Sequence, residues 1–244
     1  MKASVFAWVL AIVLLVGIPA CAQEEALPQK VVYLTFDDGP RADTPQLLAL
    51  LEELDVPATF FFWGLSVQQY PEEARQVLEA GYSVGCHSMA HKASSLKKGP
   101  SAVKRDIKRF VSMMRELVDE NFTTDLYRFP GGSGSYPREV RRAVIEEGVS
   151  WFDWNGSTGD SHTGMKTSDL YEYAMKTSAD ADVIIMLMHE GKAQTRSILP
   201  DLVAHFREQG YVFRVLATDE TERAILARCP AKMMMPELTG GMKQ

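Results

Sequence analysis

The sequence has few cysteines and no excess of positive charge, and these shortages exclude whole classes of protein. Three cysteines among 244 residues cannot form the disulfide framework of a small secreted scaffold. The formal net charge of -6 argues against nucleic-acid binding, because proteins of that class carry clustered Lys and Arg for the phosphates. A neutral substrate fits this charge better. The length and the ordinary apolar and charged fractions indicate one globular domain with a substantial core.

One long apolar run occurs, from residue 5 to residue 20 behind Lys2. It is short and poorly flanked for a stable membrane span, so residues 1–22 are predicted to be a secretory signal peptide. Cys21 could instead be the lipidated residue of a lipoprotein signal, and an uncleaved membrane anchor is a third possibility. We therefore expect an exported protein that is secreted, cell-wall associated or lipid-anchored on the outer side of the cytoplasmic membrane. Its domain would occupy residues 23–244.

The other two cysteines, Cys86 and Cys229, leave their redox state open. They could form a disulfide in an oxidising compartment. Cys86 lies in an apolar run, however, where a buried free thiol is the commoner outcome.

Short apolar runs alternate with amphipathic helical patterns from residue 31 onward. Strands are predicted at 31–36, 58–63, 82–86, 126–129, 149–154, 182–188 and 211–216, and helices at 45–54, 71–80, 100–119, 137–147, 168–179 and 197–209. Strands that are apolar on both faces are typical of a parallel sheet covered by helices. Because no glycine-rich dinucleotide-binding turn follows the first strand, a barrel of about seven strands is favoured over an open sheet. Residues from about 220 are expected to form a peripheral tail with a short helix.

Polar residues that could carry chemistry follow the predicted strands at their carboxyl ends. These are Asp37 and Asp38 after the first strand, His87 and His91 after the third, Arg128 in the fourth, Asp153 in the fifth and His189 after the sixth. The carboxyl ends of the strands in a parallel barrel share one rim, where such folds build their active sites. Residues scattered over about 150 positions are therefore expected to meet in one place.

The pair His87 and His91 has the spacing of two histidines that bind one metal ion from the same helical turn. Alone this spacing is a weak signal. With Asp38 as a third ligand, two nitrogens and one oxygen would leave positions open for water, as in a catalytic site. Ser88 stands where the metalloprotease pattern has a glutamate, so a general base must come from elsewhere, and Asp37 is the nearest carboxylate.

Arg128 and Asp153 are candidates for residues that support this chemistry. The Arg128 guanidinium could act as a fork that holds the Asp37 carboxylate ionised and in position. Asp153, if it contacts His189, would favour the imidazolium and raise the pKa of that histidine. A histidine kept protonated in this way can serve as a general acid.

The order of these segments resembles the five signature motifs of the polysaccharide deacetylases of carbohydrate esterase family 4, the NodB homology domain. The motifs are Thr35-Phe36-Asp37-Asp38-Gly39-Pro40, His87-Ser88-x-x-His91, Arg128-x-Pro130-x-Gly132, Asp153-Trp154 and Leu187-x-His189. The resemblance covers about residues 30–217. It implies a distorted (β/α) barrel and metal-dependent hydrolysis of the acetamide of N-acetylated sugars, with release of acetate.

The resemblance also implies a role for each site residue. The implied roles are metal binding by Asp38, His87 and His91, general base for Asp37, general acid for His189, orientation of Asp37 by Arg128 and tuning of His189 by Asp153. Zinc is the default metal for such ligands, and cobalt or nickel would also fit. The peptide N–H of Gly131 would donate to the oxyanion. Trp154 is a candidate, with Trp63 and Trp151, for a wall that stacks on sugars, and packing in the core is the alternative role for each of the three.

The chain departs from the family pattern at two positions. Gly131 stands where an aromatic residue is usual, so that the side chain lining the groove is lost while the backbone N–H remains. Glu190 follows His189 where aspartate is usual. Both departures leave the substrate preference open.

The expected substrate is cell-wall peptidoglycan or an exported N-acetylglucosamine polymer, and the expected protein is a monomer with no nucleic-acid partner. Two alternatives remain at this point. One is an O-acetyl ester hydrolase acting on an acetylated polysaccharide, since the same side chains could do that chemistry. The other is a non-catalytic sugar-binding module of the same fold that holds a metal without turnover.

Overall fold

A computed structural model describes residues 26–236 of the chain. The predicted signal peptide, with Cys21, and the last eight residues lie outside this range. Within it, the strands are β1 Val31–Gly39, β2 Thr59–Phe62, β3 Ser83–Cys86, β4 Leu126–Tyr127, β5 Ser150–Phe152, β6 Gly156–Ser157, β7 Val183–His189, β8 Val212–Phe213 and β9 Met233–Met234. The helices are α1 Thr44–Glu53, α2 Gly64–Gln69, α3 Pro71–Glu79, α4 Ala93–Leu96, α5 Pro100–Leu117, α6 Arg138–Glu146, α7 Thr167–Ser178, α8 Ala193–Glu208 and α9 Glu220–Leu226.

The strands form one curled sheet in the order β6-β7-β1-β2-β3-β4-β5-β9, with β8 paired to the beginning of β1. Strand pairs are parallel except for β5 and β9, which are antiparallel. The prediction of a distorted (β/α) barrel is confirmed, since the helices lie outside a curled, mostly parallel sheet. The predicted seven strands are all present. Two further strands, β6 and β9, were not expected: β6 is Gly156–Ser157 and has no apolar run, and β9 lies in the segment expected to be a peripheral tail.

Strand β1 lies at the centre of the sheet and divides the protein into two cores. Its residues alternate between the two faces, as the pleat requires. Val32, Leu34 and Phe36 belong to the large core between the sheet and the helices. Val31 and Tyr33 face the inside of the barrel instead, in a second core that we call the interior core. Its buried members are Val31, Tyr33, Phe61, Leu126, Phe152, Val183, Ile185, Leu216, Ile225, Leu226 and Ala231.

The C-terminal segment is part of the barrel and is not the peripheral tail that the sequence predicts. Helix α9 inserts Ile225 and Leu226 into the interior core, beside residues from the amino ends of β1 and β7. The buried Glu222 accepts a hydrogen bond from the Tyr33 hydroxyl and forms an ion pair with Arg214. The helix therefore closes the end of the barrel opposite to the carboxyl ends of the strands. Two buried apolar residues in a seven-residue helix give no periodic pattern, which is why the sequence did not indicate this contact.

Cys86 and Cys229 are both free thiols. Cys86 is buried in the core under the helices, where burial raises its pKa well above the usual value. Across residues 26–236, none of the helices combines the length and the apolar content that a membrane span requires.

We predict that Glu222→Ala destabilises the fold by about 2 kcal/mol, because it leaves the buried Tyr33 hydroxyl without its charged acceptor. Urea denaturation followed by circular dichroism measures this change. Glu220→Ala is the matched control, since Glu220 lies exposed on the same helix and should change the free energy of unfolding by less than about 0.5 kcal/mol. Equal stability of the two variants would show that α9 does not depend on the Glu222 contacts.

Candidate active site

The adjacent carboxylates of Asp37 and Asp38 both reach the site because the backbone leaves the regular strand between them. Asp37 continues the inward-facing register of β1 and pairs across the sheet with His189 of β7. Asp38 has a left-handed backbone, with φ at 69°. A non-glycine residue in that region is uncommon and is typical of functional sites. The sequence predicts this turn at the Gly-Pro step, and the structure begins it one residue earlier.

His87 and His91 follow β3 in a loop and not on a helical turn. Ser88 and His91 both have left-handed backbones, with φ at 70° and 46°. The Ser88 hydroxyl accepts a hydrogen bond from the His91 N–H at 2.9 Å, which closes the turn between the two histidines. The four-residue spacing thus brings the imidazoles together, with ring centroids 4.9 Å apart, through a different backbone from the one expected.

The three predicted metal ligands meet at the rim. Asp38 Oδ1 lies 3.5 Å from His91 Nε2 and 3.8 Å from His87 Nε2, and ligand atoms of all three residues lie within 4.8 Å of one another. Two atoms bonded at about 2.0–2.1 Å to a tetrahedral metal are roughly 3.3–3.4 Å apart. Asp38 Oδ1 is also buried without a hydrogen-bond partner among the described residues. A buried carboxylate oxygen in that state needs a cation, so these side chains fit a divalent metal.

His87 is held in the orientation and tautomer that suit a ligand. Its Nδ1 lies 2.8 Å from the Arg128 carbonyl oxygen, so Nδ1–H donates there and Nε2 is left with a free lone pair. Burial lowers the pKa of His87, although the nearby charges of Asp37 and Asp38 oppose that effect. The neutral imidazole is the form that binds a metal.

Asp37 and Arg128 form an ion pair inside the barrel, as the sequence predicts. One guanidinium nitrogen of Arg128, NH1, donates to Asp37 Oδ1 at 2.8 Å and to the Thr35 hydroxyl at 2.7 Å. The contact therefore involves one nitrogen and one carboxylate oxygen, and the guanidinium fork expected from the sequence is not formed. The second oxygen, Asp37 Oδ2, remains 3.6 Å from His87 Nε2 and faces the metal ligands.

The acid that contacts His189 is Asp160, and the prediction of Asp153 for this role is wrong. Asp160 Oδ1 accepts from His189 Nδ1 at 2.7 Å, while Oδ2 accepts from the His189 backbone N–H at 2.7 Å and from the Thr195 hydroxyl at 2.6 Å. Burial alone would lower the pKa of His189, but the hydrogen bond and charge of Asp160, with the charges of Asp37 and Asp38, raise it above the usual value.

The sequence does not indicate Asp160, because this residue follows the two-residue strand β6, which has no apolar run to mark a strand end. Asp153 follows β5, whose apolar run marks the end of a strand in the sequence, and it stands beside Trp154 in a motif of the family pattern. The carboxylate of Asp153 is instead hydrogen-bonded to Ser133.

Glu190, one of the two departures from the family pattern, is buried behind the turn that carries the metal ligand. Its carboxyl accepts a hydrogen bond from Thr44 and lies against Gly39, where a Cβ would overlap Glu190 Oε2. Burial raises the pKa of Glu190 to about 7, with the neighbouring charge of Asp43 acting in the same direction. Gly39 is therefore required for space, and Glu190 supports the turn without facing the metal ligands.

Of the residues predicted to contact substrate, Gly131, Trp154 and Trp63 follow strands at the same rim, whereas Trp151 is buried in the large core. Gly131 is exposed, has φ at 72°, and has no atom within 4 Å of the position a Cβ would take. Trp154 is half-buried and packs over Gly132, with its ring 5.9 Å from the Arg128 guanidinium. Trp63 stands edge-on to His91 at 6.0 Å. Contact of Gly131 and Trp154 with a sugar remains a prediction.

Comparison with known proteins agrees with this geometry. Residues 24–151 match the family described as Polysaccharide deacetylase. A peptidoglycan-N-acetylglucosamine deacetylase of Bacillus cereus is 31% identical over 192 residues, which cover 76% of this chain and 85% of that protein. A chitooligosaccharide deacetylase of Rhizobium leguminosarum bv. trifolii is 29% identical over 82% of this chain and 84% of its own length. The crystal structure of the polysaccharide deacetylase Bc1974 from Bacillus cereus superposes with a TM-score of 0.71 at 28% identity, covering 78% of this chain and 94% of that one.

We predict that His91→Ala weakens zinc binding by on the order of 100-fold or more, since loss of a ligand should exceed the effect of losing a hydrogen bond to one. Zinc content after dialysis against a competing chelator measures this. His162→Ala is the control, because His162 is an exposed histidine outside the ligand group and its loss should leave zinc content unchanged. Equal zinc retention by both variants would contradict the assignment of His91 as a ligand.

Proposed function

This chain belongs to the polysaccharide deacetylase family, and we propose that it hydrolyses the acetamide of N-acetylated sugars in a polysaccharide and releases acetate. One observation carries the proposal. Two charged pairs, Asp37 with Arg128 and His189 with Asp160, face the group formed by Asp38, His87 and His91 at one rim of the barrel. A basic and an acidic group beside a metal site are what hydrolysis of an amide requires.

Asp38, His87 and His91 would hold the divalent metal, and zinc is the first choice for two imidazoles and one carboxylate. When bound, the metal supplies Lewis acidity, which lowers the pKa of water and polarises the acetyl carbonyl. The fit rests on the spacing of the three ligand atoms and on the otherwise unpartnered Asp38 Oδ1.

Asp37 would act as the general base. Its Oδ1 accepts a hydrogen bond from Arg128, and its Oδ2 faces the site with no hydrogen bond from a described residue. Oδ2 is therefore the atom that would take a proton from the attacking water. The oxyanion that develops on the acetyl oxygen would accept a hydrogen bond from the Gly131 N–H, which donates to no described residue.

His189 would act as the general acid. Asp160 fixes Nδ1, so Nε2 carries the mobile proton, and the raised pKa favours the imidazolium. As the C–N bond breaks, Nε2–H would protonate the departing amine. The products are acetate and a free amino sugar, with the proton from water held first on Asp37.

We propose peptidoglycan or an N-acetylglucosamine polymer as the substrate, since a peptidoglycan-N-acetylglucosamine deacetylase and a chitooligosaccharide deacetylase are each similar to most of this chain. Such a substrate would be met outside the cytoplasm. The support for export, by secretion or through a lipid on Cys21, is the apolar run at residues 5–20 in the sequence.

The activity test is acetate release from an N-acetylglucosamine oligomer set against acetylated xylan, with zinc-loaded protein. We predict release from the oligomer, and a loss of at least roughly 100-fold in kcat for Asp37→Asn, whose amide is isosteric but cannot accept the proton. Asp37→Asn should retain its zinc. Release from xylan alone would favour an O-acetyl esterase, and release from neither substrate would favour a sugar-binding module.

The pH profile tests the acid. Activity requires protonated His189, so it should fall as the pH rises through the raised pKa of that residue. Asp160→Asn removes the partner charge, lowers this pKa, and should move the alkaline limb of kcat to lower pH by roughly one unit or more. Asp169→Asn, which changes an exposed acid at the start of α7, is the control and should leave the limb in place. An alkaline limb that is the same in all three proteins would exclude His189 as the group that titrates there.

A further inference from the structure

Asp153 has both carboxylate oxygens bound to a single residue of the neighbouring loop. Ser133 donates its backbone N–H to Oδ1 at 2.8 Å and its hydroxyl to Oδ2 at 2.7 Å. Both residues are buried. Asp153 itself is fixed by its backbone, whose N–H donates to the Lys232 carbonyl at 2.8 Å where β5 meets the C-terminal segment. The carboxylate is thus a rigid, two-point support for Ser133.

Ser133 ends the short loop of residues 130–133, which we call the Gly131 loop. This loop has two consecutive glycines, Gly131 and Gly132, both with left-handed backbones at φ 72° and 81°. Two glycines in a row have many other conformations of similar energy. Gly131 has no side chain that could pack against a neighbour, and the space around its Cα is open. Contacts with residues outside the two glycines must therefore fix the conformation of the loop.

The restraints on the Gly131 loop come from its two ends. At the start, the Tyr136 hydroxyl donates to the Pro130 carbonyl at 3.0 Å. A tight turn follows, with the Gly132 N–H bonded to the Phe129 carbonyl at 2.8 Å. At the far end Asp153 holds Ser133 through two hydrogen bonds. Hydrogen bonds to a carboxylate are about twice as strong as neutral ones, so Asp153 is the strongest of these restraints.

We propose that Asp153 is a positioning residue for the oxyanion: by binding Ser133 at two points it aims the Gly131 N–H at the acetyl oxygen. The inference rests on the proposed function, which assigns that N–H to the oxyanion. An oxyanion donor contributes to the transition state more than to the bound substrate. A loop that is loosened should therefore lower kcat and leave KM nearly unchanged.

The test compares Asp153→Ala, Asp153→Asn and Ser133→Ala, each loaded with zinc. Asp153→Ala removes both hydrogen bonds and should lower kcat on an N-acetylglucosamine oligomer by roughly 10- to 100-fold, with KM within about twofold. Asp153→Asn can still accept from the Ser133 N–H and donate to its hydroxyl, and should recover kcat to within about fivefold of the wild type. Ser133→Ala keeps the backbone hydrogen bond and should lose only a few-fold.

A second readout separates positioning from general stability. A methylphosphonamide analogue of the acetamide, which presents a tetrahedral oxyanion, should bind Asp153→Ala weaker than the wild type by the same factor as the loss in kcat. Zinc content should not change. If Asp153→Ala does not fold, the double variant Asp153→Asn with Ser133→Ala replaces it, since it removes the side-chain hydrogen bond without emptying the Asp153 site. That variant should lose at least about fivefold in kcat.

Three results would overturn the proposal. The first is an unchanged kcat in Asp153→Ala, or in the double variant that replaces it. The second is a rise in KM of that variant without a fall in its kcat. The third is an alkaline limb of its pH profile displaced as in Asp160→Asn, which would show that Asp153 tunes His189. The failure of the proposed function is a different outcome, because the wild-type protein would then release no acetate from the oligomer.

Discussion

The buried ion pair between Arg128 and Asp37 is the interaction on which the rest of the site depends. Arg128 is fully buried, and a buried guanidinium is costly unless its charge is paired. Asp37 supplies the charge, Thr35 and the Phe152 carbonyl accept hydrogen bonds, and the Phe61 ring lies 4.1 Å from the guanidinium. The barrel interior thus holds a cation in a position where it orients one rim carboxylate.

The other residues of the proposed site are arranged around the rim next to this pair, in the order of the strands in the sheet. Arg128 also presents its backbone carbonyl to His87, so one residue orients both the base and a metal ligand. His189 lies beside Asp37 on the neighbouring strand, in direct register. Its partner Asp160 favours the protonated imidazole, so His189 is suited to act as an acid, whereas Asp37 is suited to act as a base. The two carboxylates, Asp37 and Asp160, therefore have different roles on the same rim, because Asp37 is bound by a buried arginine and Asp160 by an imidazole.

Much of this arrangement could be predicted from the sequence, because the signals are local. The apolar runs fix the strands, and the residues that end them, Asp38, His87 and His91, meet as expected. What could not be predicted depends on contacts between distant segments. Asp160 follows a strand of two residues, and no apolar run in the sequence indicates it. The sequence therefore predicts contact with His189 for Asp153, which follows a longer apolar run. Helix α9 contacts the interior core through only two apolar residues, and its Glu222 is matched by Tyr33, 189 positions away.

The central claim is that three side chains from the ends of two strands, β1 and β3, converge on one cation. A crystal structure of the zinc-loaded protein with anomalous diffraction data at the zinc edge tests it most directly. The account predicts one strong anomalous peak bonded to Asp38 Oδ1, His87 Nε2 and His91 Nε2, with the Asp37–Arg128 and His189–Asp160 pairs intact beside it. A peak elsewhere, with these three ligand atoms turned to other partners, would contradict the account.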